Sequence, residues 1–209
     1  MNRDFMYILQ GINLTVGLYI ITLFLSLPLG LLLSLGRVSK KYPIFSIVIQ
    51  MYTLLFRGTP LLLQLFFVYY GLPVIGITFT PFMAAVVTFV LNYAAYFCEI
   101  FRGGIIGIDP GQYEAAKVLG MKYWATMIRI IIPQALVTAL PPLTNEGISL
   151  IKDTSLISVI GMAEILRKSR EIVSRDFTIT PFMICALIYL AFSAVIVSIF
   201  KGIEKKVNK

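Results

Sequence analysis

The feature that most constrains this chain is a series of long apolar stretches with few or no charged side chains. The first covers residues 9–35, and others cover 82–100, 130–150 and 179–200. A helix of about 20 residues crosses the ~30 Å hydrocarbon core of a bilayer, so each stretch can span a membrane. Charged residues make up 13% of the 209 residues, against about 25% in an average soluble domain. The chain is therefore expected to have lipid as its solvent.

Missing residue types exclude several classes of functional site. The sequence has no histidine, so it contains no Ser-His-Asp triad, no Cys-His pair and no histidine-ligated metal. Its two cysteines, Cys98 and Cys185, each lie inside an apolar stretch, which excludes a secreted disulfide scaffold. The net charge is +8, but no basic run is interleaved with aromatic residues as in a nucleic-acid-binding surface. We expect no metal site, no cofactor bound by this chain and no nucleic-acid partner.

The apolar stretches predict an all-α polytopic membrane protein with about five transmembrane helices. We expect the second span to run from about Pro60 to Gly76. The stretch 44–56 before it has one polar stripe at helical spacing, which predicts an interfacial or re-entering helix. One long tilted helix with a buried Arg57 is the competing interpretation. Residues 156–160, in the charged loop before the last span, are apolar and are expected to dip back into the membrane beside protein.

The distribution of Lys and Arg predicts the orientation of the spans, because cytoplasmic loops carry an excess of these residues. Five spans put the two chain ends on opposite sides of the membrane. With the amino end outside, the inner basic residues are Arg37, Lys40, Lys41, Arg57, Arg102, Lys117, Lys122, Arg129, Lys201, Lys205, Lys206 and Lys209. The outer ones are Arg3, Lys152, Arg167, Lys168, Arg170 and Arg175, and the last five weaken the assignment. The majority on the inner side predicts an outer amino terminus and a cytoplasmic carboxyl terminus.

The polar segment between the third and fourth spans, residues 109–129, has the most distinctive pattern. It starts with the turn Asp109-Pro110-Gly111, continues through good helix formers and reaches Gly120, a residue typical of a helix C-terminus. A second short helix is expected to follow and to enter the fourth span. From the residues alone, the segment is either a rigid helix–turn–helix presented to the cytoplasm or an ordinary surface loop.

This segment resembles the EAA signature of ATP-binding-cassette (ABC) importer permeases. That signature consists of Glu-Ala-Ala, three residues, Gly, nine residues, Ile, one residue, Leu and Pro. The matching positions are Glu114, Ala115, Ala116, Gly120, Ile130, Ile132 and Pro133, with Ile132 in place of the usual Leu. The runs Arg57-Gly58-Thr59-Pro60, Asn92-Tyr93-Ala94-Ala95-Tyr96 and Lys152-Asp153-Thr154-Ser155-Leu156 are similar to the histidine/glutamine/arginine-type branch, which takes up polar amino acids.

The resemblance implies an ABC type I importer permease fold, with residues 1–209 forming a single transmembrane permease domain. In that family the EAA helix docks in a cleft of a cytoplasmic ATPase subunit and transmits its closure to the spans. The segment around 109–129 would then be cytoplasmic. The ATPase-coupling residues implied by the resemblance are Glu114, Ala115, Ala116, Gly120 and Pro133.

The resemblance also implies which partners the chain has. The sequence contains no Gly-x-x-x-x-Gly-Lys-Ser/Thr loop, so ATP and Mg²⁺ are expected on a separate ATP-binding subunit. Family members pair two permease chains, which implies a homodimer or a closely related second permease. An extracytoplasmic amino acid-binding protein and a location in the bacterial inner (plasma) membrane are implied in the same way.

Polar side chains in or beside the spans are the candidates for substrate contact, because charges are costly there. Glu99 and Arg102 share one helical face, so they either neutralise each other or meet the ammonium and carboxylate of a zwitterion. Arg57 is expected to snorkel to the inner surface, and Asp153 has the alternative role of capping the next helix. The candidates for substrate binding are Glu99, Arg102, Asn145, Glu146, Asp153, Thr154 and Ser155.

Together these features predict the membrane-spanning subunit of an importer for polar amino acids, working by alternating access and driven by a separate ATPase. The chain is expected to be no enzyme itself. A stand-alone ion-coupled carrier or channel is the alternative. It would need a complete pathway within five spans, and it would leave the cytoplasmic signature unexplained.

Overall fold

The structure is a computed structural model that describes residues 2–39 and 43–207, with side chains for 3–39 and 43–206. The all-α class predicted from the sequence is confirmed, since the described residues form helices and no strand. Three basic residues that entered the prediction of orientation lie outside the described residues, namely Lys40, Lys41 and Lys209.

Ten α-helices follow one another in the described part of the chain. They are α1 (Asn2–Leu9), α2 (Ile12–Val38), α3 (Pro43–Gly58), α4 (Leu61–Phe66), α5 (Pro81–Ile106), α6 (Pro110–Val118), α7 (Tyr123–Thr126), α8 (Ile132–Asp153), α9 (Ile165–Asp176) and α10 (Thr180–Val207). Two π-helical turns cover Phe67–Gly71 and Met127–Ile131, and two 3-10 turns cover Leu72–Ile75 and Thr154–Ile160. Four helical stretches among these residues are long and apolar enough to cross a bilayer, or five if the bent pair of α3 and α4 is one span.

The helix α2 packs along α5 through a stripe of small side chains, as membrane helices commonly do when their backbones approach closely. The buried positions of α2 are Thr15, Leu18, Thr22, Ser26, Gly30 and Ser34. Gly30 marks the close approach, since a Cβ there would lie 2.6 Å from the Cβ of Phe97. On the facing side of α5, Ala94 and Cys98 are fully buried. These small residues bring α2 and α5 into the most extensive helix contact of the described chain.

The helices α3 and α4 meet at a sharp break, where the chain bends by 102°. Pro60 disfavours a helical conformation in the residue before it, and it begins α4 with extended backbone. The side chains of Gln64 and Asn92 each donate a 2.9 Å hydrogen bond to the Phe56 carbonyl, which the break leaves without a helical partner. The interpretation as one long tilted helix is therefore wrong, and the division before Pro60 is correct.

The helix α8 crosses α5 near the carboxyl end of α5. A Cβ at Gly104 would lie 2.7 Å from the carbonyl oxygen of Ala135, so the two backbones nearly touch. Toward the amino end of α5 from this crossing, a core of fully buried side chains includes Phe97 of α5, Leu150 of α8 and Ile157 of the following 3-10 turn. Ile157 and Ile160 are buried, so this turn packs against protein.

The helices α1, α9 and α10 are held together by a smaller apolar cluster. Ile8 of α1, Ile165 and Ile172 of α9, and Cys185 of α10 are its buried members. The opposite side of α10 exposes large apolar side chains along its length, including Met183, Leu187, Leu190 and Val195. An apolar face of this extent suits contact with lipid rather than with water.

Candidate coupling segment and transmembrane polar cluster

The helix α6 is a short, well-capped element between two spans. The Asp109 carboxylate accepts a 2.7 Å hydrogen bond from the Gly111 N–H, and Pro110 occupies the first turn, where no N–H donor is needed. At the other end, Gly120 has φ +71°, a left-handed conformation that glycine adopts without strain. The Gly120 N–H donates to the Lys117 carbonyl at 3.0 Å. The predicted helix ending at this glycine is confirmed.

The two faces of α6 have different surroundings. Ala116 is buried, and Tyr113 packs against a cluster that includes Ile105 of α5 and Met127 and Ile131 of the π turn before α8. This cluster fixes α6 to the ends of two spans. On the opposite face, Glu114 and Ala115 are exposed to solvent.

Two large apolar residues at the end of α6 are also exposed. Val118 is 87% exposed and Leu119 is 78% exposed, which is unusual for adjacent aliphatic side chains on a polar segment. Beside α6 lies an open groove of about 990 Å³, lined in part by Ile106, Tyr113 and Trp124. The segment therefore has an exposed apolar edge, formed by Val118 and Leu119, and an open groove beside it.

Pro133 stands at the junction of the coupling segment with α8. A proline has no N–H to donate to the carbonyl four residues earlier, and the π-helical turn Met127–Ile131 lies directly before α8. The side-chain amide of Gln134 donates a 2.9 Å hydrogen bond to the Ile130 carbonyl. Pro133 itself is exposed. Its structural effect is therefore a local change of helical pitch where α8 begins.

A cluster of charged side chains lies between α3 and α5. The Glu99 carboxylate accepts hydrogen bonds from Arg102, with Nε at 2.8 Å and an Nη at 2.7 Å. Arg57, at the end of α3, approaches the same carboxylate oxygen at 3.9 Å. Its guanidinium also lies over the Tyr96 ring, 5.5 Å from the centroid. The predicted contact between Glu99 and Arg102 is present, and Arg57 joins it.

A second group of polar side chains continues this cluster toward α8. The Tyr93 hydroxyl donates a 2.7 Å hydrogen bond to the Asp153 carboxylate, and the Tyr93 ring lies 6.2 Å from that of Tyr96. Glu146 lies two turns before Asp153 on the same face of α8. We call the set of Arg57, Tyr93, Tyr96, Glu99, Arg102, Glu146 and Asp153 the polar cluster.

The expectation that Asp153 caps the next helix is wrong, since its side chain makes no capping hydrogen bond and binds Tyr93 instead. The other predicted substrate residues lie apart from the polar cluster. Thr154 is fully buried and donates to the Ile151 carbonyl at 2.7 Å. Asn145 is exposed on another side of α8. Ser155 lines a separate pocket between α9 and α10.

Sequence reasoning missed the role of two cluster residues. Tyr93 was not among the candidates for substrate contact, and Arg57 was expected to snorkel to the inner surface. Tyr93, Tyr96 and Glu99 are spaced at i, i+3 and i+6, so they share one helical face. This spacing is the sequence pattern that could have placed Tyr93 beside Glu99.

Polar side chains around α9 form a hydrogen-bond network. Glu164 caps α9 by accepting 2.6 Å hydrogen bonds from the N–H groups of Leu166 and Arg167, and burial raises the pKa of its carboxyl. Glu171 accepts a 2.6 Å hydrogen bond from the Tyr7 hydroxyl of α1, which lowers the pKa of Glu171. This network fastens α1 to α9.

Comparison with known proteins agrees with this arrangement. Residues 26–209 match the family described as the inner membrane component of binding-protein-dependent transport systems. The chain belongs to this family. It is accordingly a multi-pass membrane protein and a transport component, and the predicted membership of the ABC importer permeases is confirmed.

Curated relatives of this family member match along nearly their whole length. It is 38% identical over 217 residues to the arginine transport system permease protein ArtQ of Bacillus subtilis, covering 100% of this chain and 99% of the relative. It is 40% identical to the probable amino-acid ABC transporter permease protein YckA of the same organism, covering 98% and 90%. It is 38% identical to the putative glutamine transport system permease protein GlnP of Rickettsia typhi, covering 96% and 93%.

Solved structures share the fold. The chain superposes with a TM-score of 0.86 on a chain of an amino acid ABC transporter with histidines, at 35% identity, covering 96% of this chain and 94% of the other. The inward-facing MetNI methionine ABC transporter shares the fold with a TM-score of 0.74 at 17% identity, covering 97% and 94%. The predicted type I importer permease fold is confirmed.

Proposed function

We propose that this chain is the permease subunit of an ATP-driven importer of polar amino acids. A separate cytoplasmic subunit binds ATP and Mg²⁺, and the permease moves substrate inward by alternating access without performing chemistry on it. The observation that carries this proposal is the geometry of α6, fixed to two spans on one face and open to a partner on the other. Relatives named for arginine and glutamine transport support polar amino acids as the substrate class.

The exposed face of α6 is the proposed docking surface for the ATPase. Glu114 and the small side chain of Ala115 allow a cleft to approach the helix closely. Val118 and Leu119 supply the apolar anchors that such an interface needs, because a few buried apolar residues carry most of a binding energy. Gly120 fixes the turn, and Pro133 lies where motion of the segment enters α8.

A second permease chain is proposed to cover the exposed polar side of α8. Gln134, Thr138, Asn145 and Lys152 are exposed along this membrane-spanning helix. Polar and charged side chains are costly against lipid, so they call for protein or a water-filled path instead. A homodimer in which the two α8 helices border a central pathway meets this need. An extracytoplasmic binding protein would deliver substrate to it.

The substrate site is proposed at the polar cluster. Its two half-buried carboxylates on α8, Glu146 and Asp153, suit an ammonium group, and the arginines beside Glu99 suit a carboxylate. Asn145 would contribute at the interface between chains. Thr154 and Ser155 are assigned structural roles, given their positions away from the cluster.

Residues 1–209 are proposed to form one permease domain with the amino end outside and the carboxyl end in the cytoplasm. This orientation places α6 on the cytoplasmic side with the ATPase and α9 on the outer side. A stand-alone carrier would leave the apolar end of α6 without a partner.

The test is purification of the chain from its native membrane in mild detergent, with every co-purifying subunit identified and counted. We expect a soluble ATPase at one copy per permease and no second permease species. Replacing Leu119→Ser should weaken retention of the ATPase by about tenfold or more, because it removes an anchor. Leu119→Met keeps the apolar contact and should retain it.

Other results of the purification and of the Leu119 variants would contradict parts of the proposal. Recovery of the chain alone, under conditions that preserve a known complex, favours the stand-alone carrier. A second, different permease overturns the homodimer and leaves the importer. Equal ATPase retention by L119S and L119M removes Leu119 from the interface.

A further inference from the structure

Arg37, in the last turn of α2, carries a positive charge that no carboxylate of the described residues neutralises. Each ion pair found between those residues uses a different arginine. The Arg37 Nη1 donates a 2.9 Å hydrogen bond to Ser46 Oγ of α3, and its Nε is buried without a hydrogen-bond partner. A guanidinium carries five N–H donors, so most of the Arg37 donors are unpaired within the described part of the chain.

The hydroxyl of Ser46 holds the Arg37 side chain against α3. It accepts the bond from Nη1 and donates a 2.9 Å hydrogen bond to the Arg37 backbone carbonyl. The two helices also approach closely at this point. A Cβ at Gly36 would lie 2.7 Å from Cδ1 of Ile49 and 2.8 Å from Cε1 of Phe45. The guanidinium therefore has a fixed place at the junction of α2 and α3.

The carboxyl end of α2 has different neighbours on its two sides. Leu35 and Val38 pack against the apolar cluster that fixes α6, the helix with the proposed ATPase surface. Gly36 and Arg37 contact α3 instead. The unpaired charge thus lies beside a helix other than the one proposed to meet the ATPase.

The surroundings of Ser46 on α3 suit lipid. Large apolar side chains are exposed on either side of it, namely Ile44, Phe45, Ile47, Val48 and Met51. Arg37 itself stands at the end of the helical stretch Arg3–Val38, which is long and apolar enough to cross a bilayer. Charged side chains at such an end lie at the level of the lipid head groups. A positive charge at head-group level therefore borders an apolar face that acyl chains can cover.

We propose that Arg37 binds the phosphate group of an anionic phospholipid, and that Ser46 positions the guanidinium for it. A guanidinium binds phosphate oxygens through charge-assisted hydrogen bonds, which would engage the donors that Arg37 leaves unpaired. Basic pockets between membrane helices recognise lipid head groups by the same chemistry. The acyl chains of this lipid lie along the exposed apolar side of α3. Neither the orientation of the chain nor its substrate enters this proposal.

A lipid bound in this way joins two helices. Its phosphate is held by α2 and its chains by α3, the helix that leads to the 102° bend. A ligand that binds the folded arrangement and not the unfolded one stabilises it by mass action. The lipid should therefore stabilise the junction of α2 with α3.

The experiment uses the complex purified from its native membrane in mild detergent, together with a phosphatidylglycerol that carries a photoactivatable group in one acyl chain. After illumination, mass spectrometry maps the crosslinked peptides, and the yield of crosslinks on α3 is measured. Unlabelled phosphatidylglycerol, a diacylglycerol with the same chains and inorganic phosphate are added as competitors. The diacylglycerol tests the need for the phosphate, and inorganic phosphate tests the need for the chains.

Unlabelled phosphatidylglycerol should halve the crosslink yield on α3 at about the concentration of the labelled lipid. Diacylglycerol should need about 10- to 100-fold more, the usual effect of losing hydrogen bonds to a charged group. Inorganic phosphate at the concentration of the lipid should leave the yield unchanged, because it has no apolar surface to bury against α3.

Variants test whether Arg37 is the phosphate ligand. Arg37→Gln should lower the yield on α3 by about tenfold or more and leave the background yield on α10 unchanged. Arg37→Lys should lower it less, since it keeps the charge without the planar fork. Lys201→Gln is the matched control, because it removes an exposed positive charge from α10. It should leave the yield on α3 unchanged, whereas a general attraction to anionic lipid would be reduced equally by K201Q and R37Q.

Four results would overturn the proposal. Diacylglycerol that competes as well as phosphatidylglycerol shows that the chains alone account for binding, and an unchanged yield in R37Q removes Arg37 from the site. Competition by inorganic phosphate at the concentration of the lipid assigns the site to a free phosphate. A yield on α3 that appears only after the ATPase is stripped away means that the ATPase covers Arg37. The competition series needs no variant, so a misfolded R37Q would not prevent a decision.

Discussion

The Tyr93 hydroxyl on α5 donates a 2.7 Å hydrogen bond to the Asp153 carboxylate at the end of α8. Tyr93 is 2% exposed, so this bond joins two spans inside the protein. A carboxylate in a membrane-spanning region is costly unless it finds partners. The Tyr93 hydroxyl therefore offsets part of the cost of placing the Asp153 carboxylate there.

Replacing Tyr93→Phe should lower the stability of the permease and weaken substrate binding. The hydroxyl is lost while the ring packing stays, so a stability loss of about 1 kcal/mol is expected for a hydrogen bond between membrane helices. The measurement is thermal unfolding of the purified complex together with amino acid binding. Tyr70→Phe is the control, because the Tyr70 side chain is exposed and its hydroxyl makes no hydrogen bond to the described residues. Identical melting of both variants would contradict a role for this bond.

Replacing Gly120→Val should uncouple ATP hydrolysis from transport while the permease still inserts in the membrane. No heavy atom lies within 4 Å of a Cβ at Gly120, so the cost comes from φ +71° and not from a clash. A left-handed conformation costs an L-residue roughly 1–2 kcal/mol, and more for a β-branched one. The end of α6 should therefore shift and carry Leu119 with it.

The control for this variant is Gly202→Val in α10, where a Cβ is equally unobstructed but the backbone is ordinary helix. Transport and ATP hydrolysis are measured together in proteoliposomes containing the full complex. G202V should keep the ratio of substrate moved to ATP hydrolysed, and G120V should lower it. An unchanged ratio in G120V would remove the conformational argument for this glycine.

The features that could be predicted from the sequence are those set by residues close together along the chain. The spans follow from apolar stretches, and the end of α6 follows from one glycine, because these depend on residues near in sequence. The polar cluster depends on contacts between distant residues. Asp153 was open to a capping role because Tyr93, its actual partner, lies sixty positions away. The approach of Arg57 to Glu99 likewise joins two helices, α3 and α5, and no residue pattern specifies it.

Acid should loosen α1 from α9. The pKa of Glu171 is below its ordinary value because the Tyr7 hydroxyl donates to it and Arg167 lies beside it. A carboxyl whose pKa is lowered by folding contributes stability above its ordinary pKa and loses it as the pH falls through the lowered value. The protection of the α1 amides against hydrogen exchange, corrected for the pH dependence of the intrinsic exchange rate, should therefore fall when the pH falls below that ordinary value. In Glu171→Gln the exchange should already be faster at neutral pH and should depend less on acid; matching pH profiles for both proteins would refute this.

The orientation of the chain can be tested at the two ends of α10. Lys206 near its carboxyl end is exposed, and Phe177 just before its amino end is 92% exposed, so a cysteine at either position is open to a reagent. The native Cys98 and Cys185 are buried and give little background, and Ala can replace both. In intact cells a membrane-impermeant maleimide should label Phe177→Cys and not Lys206→Cys, whereas inside-out vesicles should show the reverse. Labelling of both from one side would mean that α10 does not cross the membrane, and a swapped pattern would place α6 outside, where no ATPase could reach it.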